Sequence, residues 1–167
     1  LEYPRDQDPE VWKNPGRDRV VIIDRPHLRK PQPVRTFADG LIMPMSVLPI
    51  DGGAIVAQGP EIFFLDDKNG DGKADERKVL LTGFGVQDTH TLPHQLSRSP
   101  GGRITFSQGV LNTGVITDAD GRSHEFHKTL VASMTPEGRD FRIIGAGMNN
   151  IWAWAQSRVG RVFIHEA

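Results

Sequence analysis

The stretch that most constrains the fold is residues 61 to 83, in which two short apolar runs flank a loop rich in side-chain oxygens. The runs, Ile62 to Leu65 and Val79 to Leu81, are β-prone and too short for an amphipathic helix. A strand, a polar turn and a second strand fit this order. The sequence therefore predicts a β-hairpin here.

The loop between the two runs has the spacing of a calcium-binding segment. Oxygen ligands alternate along D-x-N-x-D-G-x-x-D, and Gly72 stands where such a loop turns sharply. Position 12, which holds a bidentate glutamate in an EF-hand, is Lys78. We therefore expect a calcium-clamped hairpin; a polar turn without an ion is the alternative. The predicted ligands are Asp67, Asn69, Asp71, the Lys73 carbonyl and Asp75.

Composition places the chain among globular proteins with many turns. Its 167 residues include 18 glycines and 12 prolines, which are spread along the sequence. A net charge of −1 gives no general attraction for nucleic acid or anionic membranes. No apolar run approaches the ~20 residues of a membrane span. The absence of cysteine excludes disulfides and covalent c-type haem attachment within this stretch.

Short strands and Gly-rich or Pro-rich turns continue along the chain. Hairpins are predicted at residues 45–58, 95–108, 130–144 and 151–165, and no amphipathic helix longer than about two turns is found. Residues 1–17 are polar and interrupted by proline, which predicts an irregular arm with Trp12 against a surface. The fold class predicted for residues 18–167 is therefore all-β.

The hairpin of the opening stretch has an earlier copy. Asp24 corresponds to Asp66 and Gly40 to Gly83, at offsets of 42 and 43 residues. A looser copy at residues 115–120 has too few acids for calcium and is predicted to be a plain hairpin turn. A period of about 40 to 45 residues built of short strands is typical of β-propeller blades. About three blades fit this length, whereas closed propellers have about four to eight, so we expect a fragment of a longer propeller.

Three segments resemble the glucose/sorbosone dehydrogenase-like β-propellers: FADGL at Phe37 to Leu41, SVLPIDGG at Ser46 to Gly53, and FLDDKNGDGKADERKVLLTGFG at Phe64 to Gly85. The sequence is most similar to a branch of membrane-bound dehydrogenase-type domains, which many bacteria fuse to c-type cytochrome modules. The resemblance covers residues ~18 to 167. It implies a six-bladed propeller, and its better-known members use calcium and pyrroloquinoline quinone (PQQ) to oxidise sugars.

The same resemblance implies a catalytic histidine. In the sugar dehydrogenases a histidine upstream of a Gly-rich hairpin takes the hydroxyl proton while hydride passes to the quinone. His90 is nearest to that position, His94 is the rival, and Asp88 is expected to orient His90. A neutral imidazole suits a general base because its ordinary pKa is close to neutral pH. The alternative is a histidine that is hydrogen-bonded in a loop without a catalytic role.

Cofactor contacts are implied by the segment GMNNIWAWA, which resembles the family's GLRNPWG signature. Asn149 stands where the family has the arginine that contacts the quinone, and Asn150 matches the asparagine. Arg98, at a strand position, is expected to point into the propeller channel or to pair with an acid. Trp152 and Trp154, two residues apart, are expected to share one face of a strand, for packing or for sugar stacking.

Two functional hypotheses follow. The first is part of a periplasmic or extracellular, calcium-binding dehydrogenase-like propeller that oxidises a sugar or related alcohol. The second is a non-catalytic, calcium-stabilised propeller that acts as a binding or assembly module. Both expect the remainder of the propeller, from the same polypeptide or a second chain, as a partner. A c-type cytochrome module is a further expected partner, and nucleic acid is not.

Overall fold

The computed structural model describes residues 15–166, in which fourteen β-strands and one short 3-10 helix form. The prediction of an all-β fold is therefore confirmed. The arm predicted at residues 1–17 lies, apart from its last three residues, outside the described part, as does Trp12. The strands are β1 Asp18–Ile23, β2 Val34–Leu41, β3 Ser46–Ile50, β4 Gly53–Gln58, β5 Glu61–Asp66, β6 Glu76–Thr82, β7 His94–Arg98, β8 Ile104–Gln108, β9 Thr113–Asp118, β10 Ser123–His127, β11 Leu130–Met134, β12 Arg142–Ala146, β13 Ile151–Gln156 and β14 Val162–Glu166.

The described strands pair into four antiparallel sheets. Strands β1 and β2 form one hairpin, and β13 and β14 form another. Between them lie a six-stranded sheet, ordered β10-β9-β6-β5-β4-β3, and a four-stranded sheet, ordered β12-β11-β8-β7. The predicted hairpins are all present; strand ends differ from the predictions by two residues or fewer in the hairpins predicted at residues 45–58, 95–108, 130–144 and 151–165, and β6 begins three residues before the predicted Val79. Of the turn predicted at residues 115–120, residues 115–118 lie on β9, and the turn that connects β9 to β10 follows them.

The six-stranded sheet is buried on both faces at its centre, along β4 and β5. Ile62 and Phe63 are neighbours on β5, and successive side chains of a strand point to opposite faces. Ile62 belongs to the apolar cluster that contains Phe106 of β8, whereas Phe63 belongs to the cluster that contains Phe37 of β2. Neither Ile62 nor Phe63 has exposed surface. The continuous apolar run of β5 therefore reflects a strand packed between two neighbouring sheets.

The hairpin β9–β10 extends the six-stranded sheet because β9 approaches the end of β6 closely. Leu81 pairs with Asp118, and Thr82 pairs with Thr117. Just beyond β6, Gly83 has a φ of +93°, and a Cβ there would lie 2.0 Å from the Val115 carbonyl oxygen. Only glycine allows this conformation and this approach without strain.

No helix in the described residues is long and apolar enough to cross a membrane.

Candidate functional site

His90 lies on the 3-10 helix Thr89–Thr91, which ends two residues before β7. Asp88 caps this helix: its Oδ1 accepts a hydrogen bond from the His90 backbone N–H at 3.0 Å. The same oxygen lies 3.2 Å from Nδ1 of the His90 ring. The orienting contact that was expected between Asp88 and His90 is thus present. The His90 side chain is 72% exposed and can be reached from solvent.

A cleft of about 520 Å³ opens between the His90 turn and β13. It brings together His90, His94 and Asn150, three residues that the sequence singled out. Gln95 and Trp152 also line it, and the Trp152 side chain is left 65% exposed. The cleft therefore combines imidazole and amide groups with one large exposed aromatic surface.

The wall formed by β13 is fixed to β7 by the side chain of Gln95. Its Nε2 donates to the Trp154 carbonyl, and its Oε1 accepts the Trp154 N–H at 3.0 Å. A register shift between Ile151 and Ala153 interrupts the strand next to Trp152. Trp154 is consequently buried while Trp152 is exposed, so the two indoles do not share the environment expected from simple alternation.

Two predicted cofactor residues lie elsewhere. Arg98 is exposed at the opposite end of β7 from His94 and does not line the cleft. Asn149 does not line it either: its N–H donates to Glu166 Oε2 at 2.8 Å, and its carbonyl accepts from Thr129. Among the described residues that line the cleft there is no lysine or arginine. This lining does not fit PQQ, because a tricarboxylate needs cationic partners.

The loop predicted to bind calcium is ordered by its own acids. Both oxygens of Asp67 accept backbone N–H groups, from Asp71 at 3.1 Å and from Gly72 at 3.0 Å. Asn69 Nδ2 lies 3.5 Å from Asp71 Oδ2 and 3.5 Å from Asp75 Oδ1. Three predicted ligand side chains therefore meet at one point.

These contacts do not amount to a formed metal centre. In residues 15–166 no group of three or more histidines or acids is placed to hold an ion. The side chain of Asn69 occupies the position where the Asp71 and Asp75 carboxylates converge. With its Oδ1 rather than its Nδ2 turned inward, the same three side chains would present only oxygens, which fits the ligand preference of calcium.

Two residues that shape the cleft were missed by sequence reasoning. Gln95 carries no motif, and its role depends on β13, 59 residues later. Asn112 holds the His90 turn from a distance of 24 residues. A pattern that repeats along one strand could not have revealed either contact.

Comparison with known proteins yields one family. The family model of a domain of unknown function, DUF7133, matches residues 1–167. No curated protein and no solved structure gives a significant match.

Proposed function

The chain belongs to the DUF7133 family, and we propose that the cleft beside His90 binds a sugar or a related alcohol. The observation that carries this proposal is the exposed indole of Trp152 in the same cleft as His90, His94 and Asn150. An aromatic face packs against the apolar C–H face of a sugar ring. Amide and imidazole groups then hydrogen-bond to the hydroxyls.

The charge of the cleft favours a neutral ligand. Its described lining has neither lysine nor arginine to pair with carboxylates or phosphates, and no aspartate or glutamate to attract cations. A polyhydroxyl compound satisfies amide and imidazole groups without requiring an ion pair. We therefore propose that the chain is a binding module for neutral carbohydrates or polyols.

The arrangement of the sheets supports a β-propeller as the setting of this cleft. Strands β3 to β6 follow one another as a four-stranded meander, and β7, β8, β11 and β12 form a second four-stranded unit. Apolar clusters join one face of the six-stranded sheet to the four-stranded sheet and the other face to the hairpin β1–β2, as between propeller blades. In this proposal the loop at residues 67–75 binds calcium as a structural clamp, and the protein works in the calcium-rich periplasm or outside the cell.

The binding proposal is tested by titrating the full-length protein with a panel of neutral sugars and polyols and measuring the heat of binding by calorimetry. Replacing Trp152 by alanine should weaken the binding roughly five- to tenfold, the equivalent of about 1–1.4 kcal/mol of lost stacking. The matched control is Phe163→Ala, which removes a similarly exposed ring, 63% exposed, on the neighbouring β14. Absence of binding across the panel, or equal binding by the Trp152 variant, would refute the proposal.

The Asp88–His90 contact favours a second candidate, an alcohol dehydrogenase activity in the same cleft. His90 would take the hydroxyl proton of the substrate while the carbon-bound hydrogen leaves with its electron pair to a two-electron acceptor. Resemblance to sugar dehydrogenases suggests PQQ as that acceptor, but the cleft lining does not fit a tricarboxylate. Reduction of a redox dye by the full-length protein, abolished in His90→Ala, would support this activity. Dye reduction that is equal in the variant would exclude His90 as the base.

A further inference from the structure

The turn that carries His90 rests on one buried amide side chain, Asn112, which has no exposed surface. Asn112 Oδ1 accepts the backbone N–H of Asp88 at 2.9 Å, and its Nδ2 donates to the Asp88 carbonyl at 3.0 Å. One side chain thus satisfies both backbone groups of the residue that orients His90.

The same amide also reaches the other end of the turn. Its Nδ2 lies 2.8 Å from Thr91 Oγ1 and 3.2 Å from the Thr91 carbonyl oxygen. Thr91 Oγ1 in turn lies 2.6 Å from the Val110 carbonyl, to which it donates. Asn112 therefore holds Asp88 and Thr91 at a fixed separation, with His90 between them.

Only an amide of this length supplies the required set of bonds. Asparagine offers one acceptor and two donors, whereas aspartate lacks the donors and serine is too short to span the turn. Because Asn112 and Thr91 are buried, a lost partner leaves a polar group unsatisfied, which costs more than the bond itself contributes.

We propose that Asn112 is the positioning residue for His90. By fixing the backbone of Asp88, it sets the carboxylate 3.2 Å from Nδ1 of His90 and so selects the tautomer that carries its proton on Nδ1. The other ring nitrogen, Nε2, then serves as the acceptor toward a ligand hydroxyl. The role in ligand contact rests on the proposed function, but the positioning itself can be measured on the ligand-free protein.

The test is the tautomer of His90, measured by long-range ¹H–¹⁵N NMR on the full-length protein at about pH 8.5, where imidazoles are mostly neutral. In the wild type the Nδ1–H form should predominate. In Asn112→Ala its fraction should fall about twofold or more, because the Asp88 carboxylate is no longer held beside Nδ1. A wild-type ring without an Nδ1–H preference, or an unchanged tautomer in the variant, would overturn the inference.

The control for a general loss of stability is Ile116→Val, which creates a small cavity in the core. Ile116 lies on β9, the strand that follows Asn112. An equal tautomer change in this variant would also overturn the inference. If Asn112→Ala does not fold, the isosteric change Thr91→Val removes the 2.8 Å bond to Asn112 and should lower the Nδ1–H fraction in the same direction. Failure of every sugar to bind would refute the proposed function, but it would not change the conclusion drawn from the His90 tautomer.

Discussion

At the scale of single residues, Asp118 is the most deeply buried acid in the described part of the chain. Its side chain has no exposed surface, and Asp118 is the last residue of β9. Burial raises its pKa, but hydrogen bonds from the Arg122 backbone, the His124 side chain and the Asp120 backbone outweigh this, so that the pKa of Asp118 is lowered. The N–H donors of Arg122 and Asp120 lie 2.9 and 3.0 Å from Oδ1. The folded state therefore prefers the charged carboxylate.

A pH-dependent contribution to stability follows from that lowered pKa. Since the folded pKa is below the unfolded one, the stabilisation is present above about pH 4 and is lost as the pH falls through the folded value. Asp118→Asn should lower the free energy of unfolding by about 1–3 kcal/mol at neutral pH, and the difference from wild type should shrink below pH 4. Urea titrations at several pH values measure this difference in the free energy of unfolding, and Asp39→Asn, at an exposed aspartate, is the control. A penalty that is the same at every pH would contradict the expectation.

Contacts between residues near in sequence could be predicted at this scale, and distant ones could not. Asp88 and His90 are two residues apart, so the spacing alone brings a carboxylate within reach of the ring. The bonds from Asn112 to Asp88 depend on how β9 is placed, which no local pattern encodes. The buried partners of the candidate site were missed for this reason.

At the scale of elements, the hairpins β1–β2 and β5–β6 share an ion pair at equivalent positions. Asp24 follows β1 and pairs with Arg35 of β2 at 2.9 Å, and Asp66 ends β5 and pairs with Lys78 of β6 at 2.6 Å. In each hairpin the cation lies opposite the residue two positions before the acid. The lysine at loop position 12, Lys78, is therefore explained by its ion pair with Asp66 across the hairpin. A calcium ion in the loop would take its ligands from the residues before Lys78.

Calcium should stabilise the protein through the loop of the β5–β6 hairpin. An ion present at about a hundredfold excess over its dissociation constant adds about 2.7 kcal/mol, which corresponds to a rise in Tm of roughly 5–10 °C for a chain of this size. Asp71→Ala should abolish the rise, because Asp71 Oδ2 is one of the oxygens that converge on Asn69. Calorimetric melts with calcium, with magnesium and with a chelator measure the effect. The control is Asp120→Ala in the β9–β10 turn, and identical wild-type melts in calcium and chelator would rule the site out.

At the scale of the whole molecule, the pattern of strands was predictable but their assembly into sheets was not. Short β-prone runs separated by glycine-rich or proline-rich turns mark each hairpin, and the apolar run of β5 indicates burial on both faces. The hairpin β9–β10 joins β6 through two residue pairs and the close backbone approach at Gly83. These are contacts between residues distant in sequence, which the local pattern does not indicate. A repeat of about 42 residues therefore predicted the hairpins better than it predicted the six-stranded sheet.

The packing of sheet against sheet predicts that the described part unfolds as one cooperative unit. Val56 of β4 is fully buried in the cluster shared with β1–β2, whereas Trp154 is buried on β13, beyond the four-stranded sheet. Val56→Ala should cost about 1–3 kcal/mol and lower the urea midpoint equally by tryptophan fluorescence and by far-UV circular dichroism. The control is Val79→Ala, at a side chain 49% exposed, which should change little. If the two probes separated in Val56→Ala, with fluorescence unmoved, the hairpin β13–β14 would be folding independently of the sheets that it packs against.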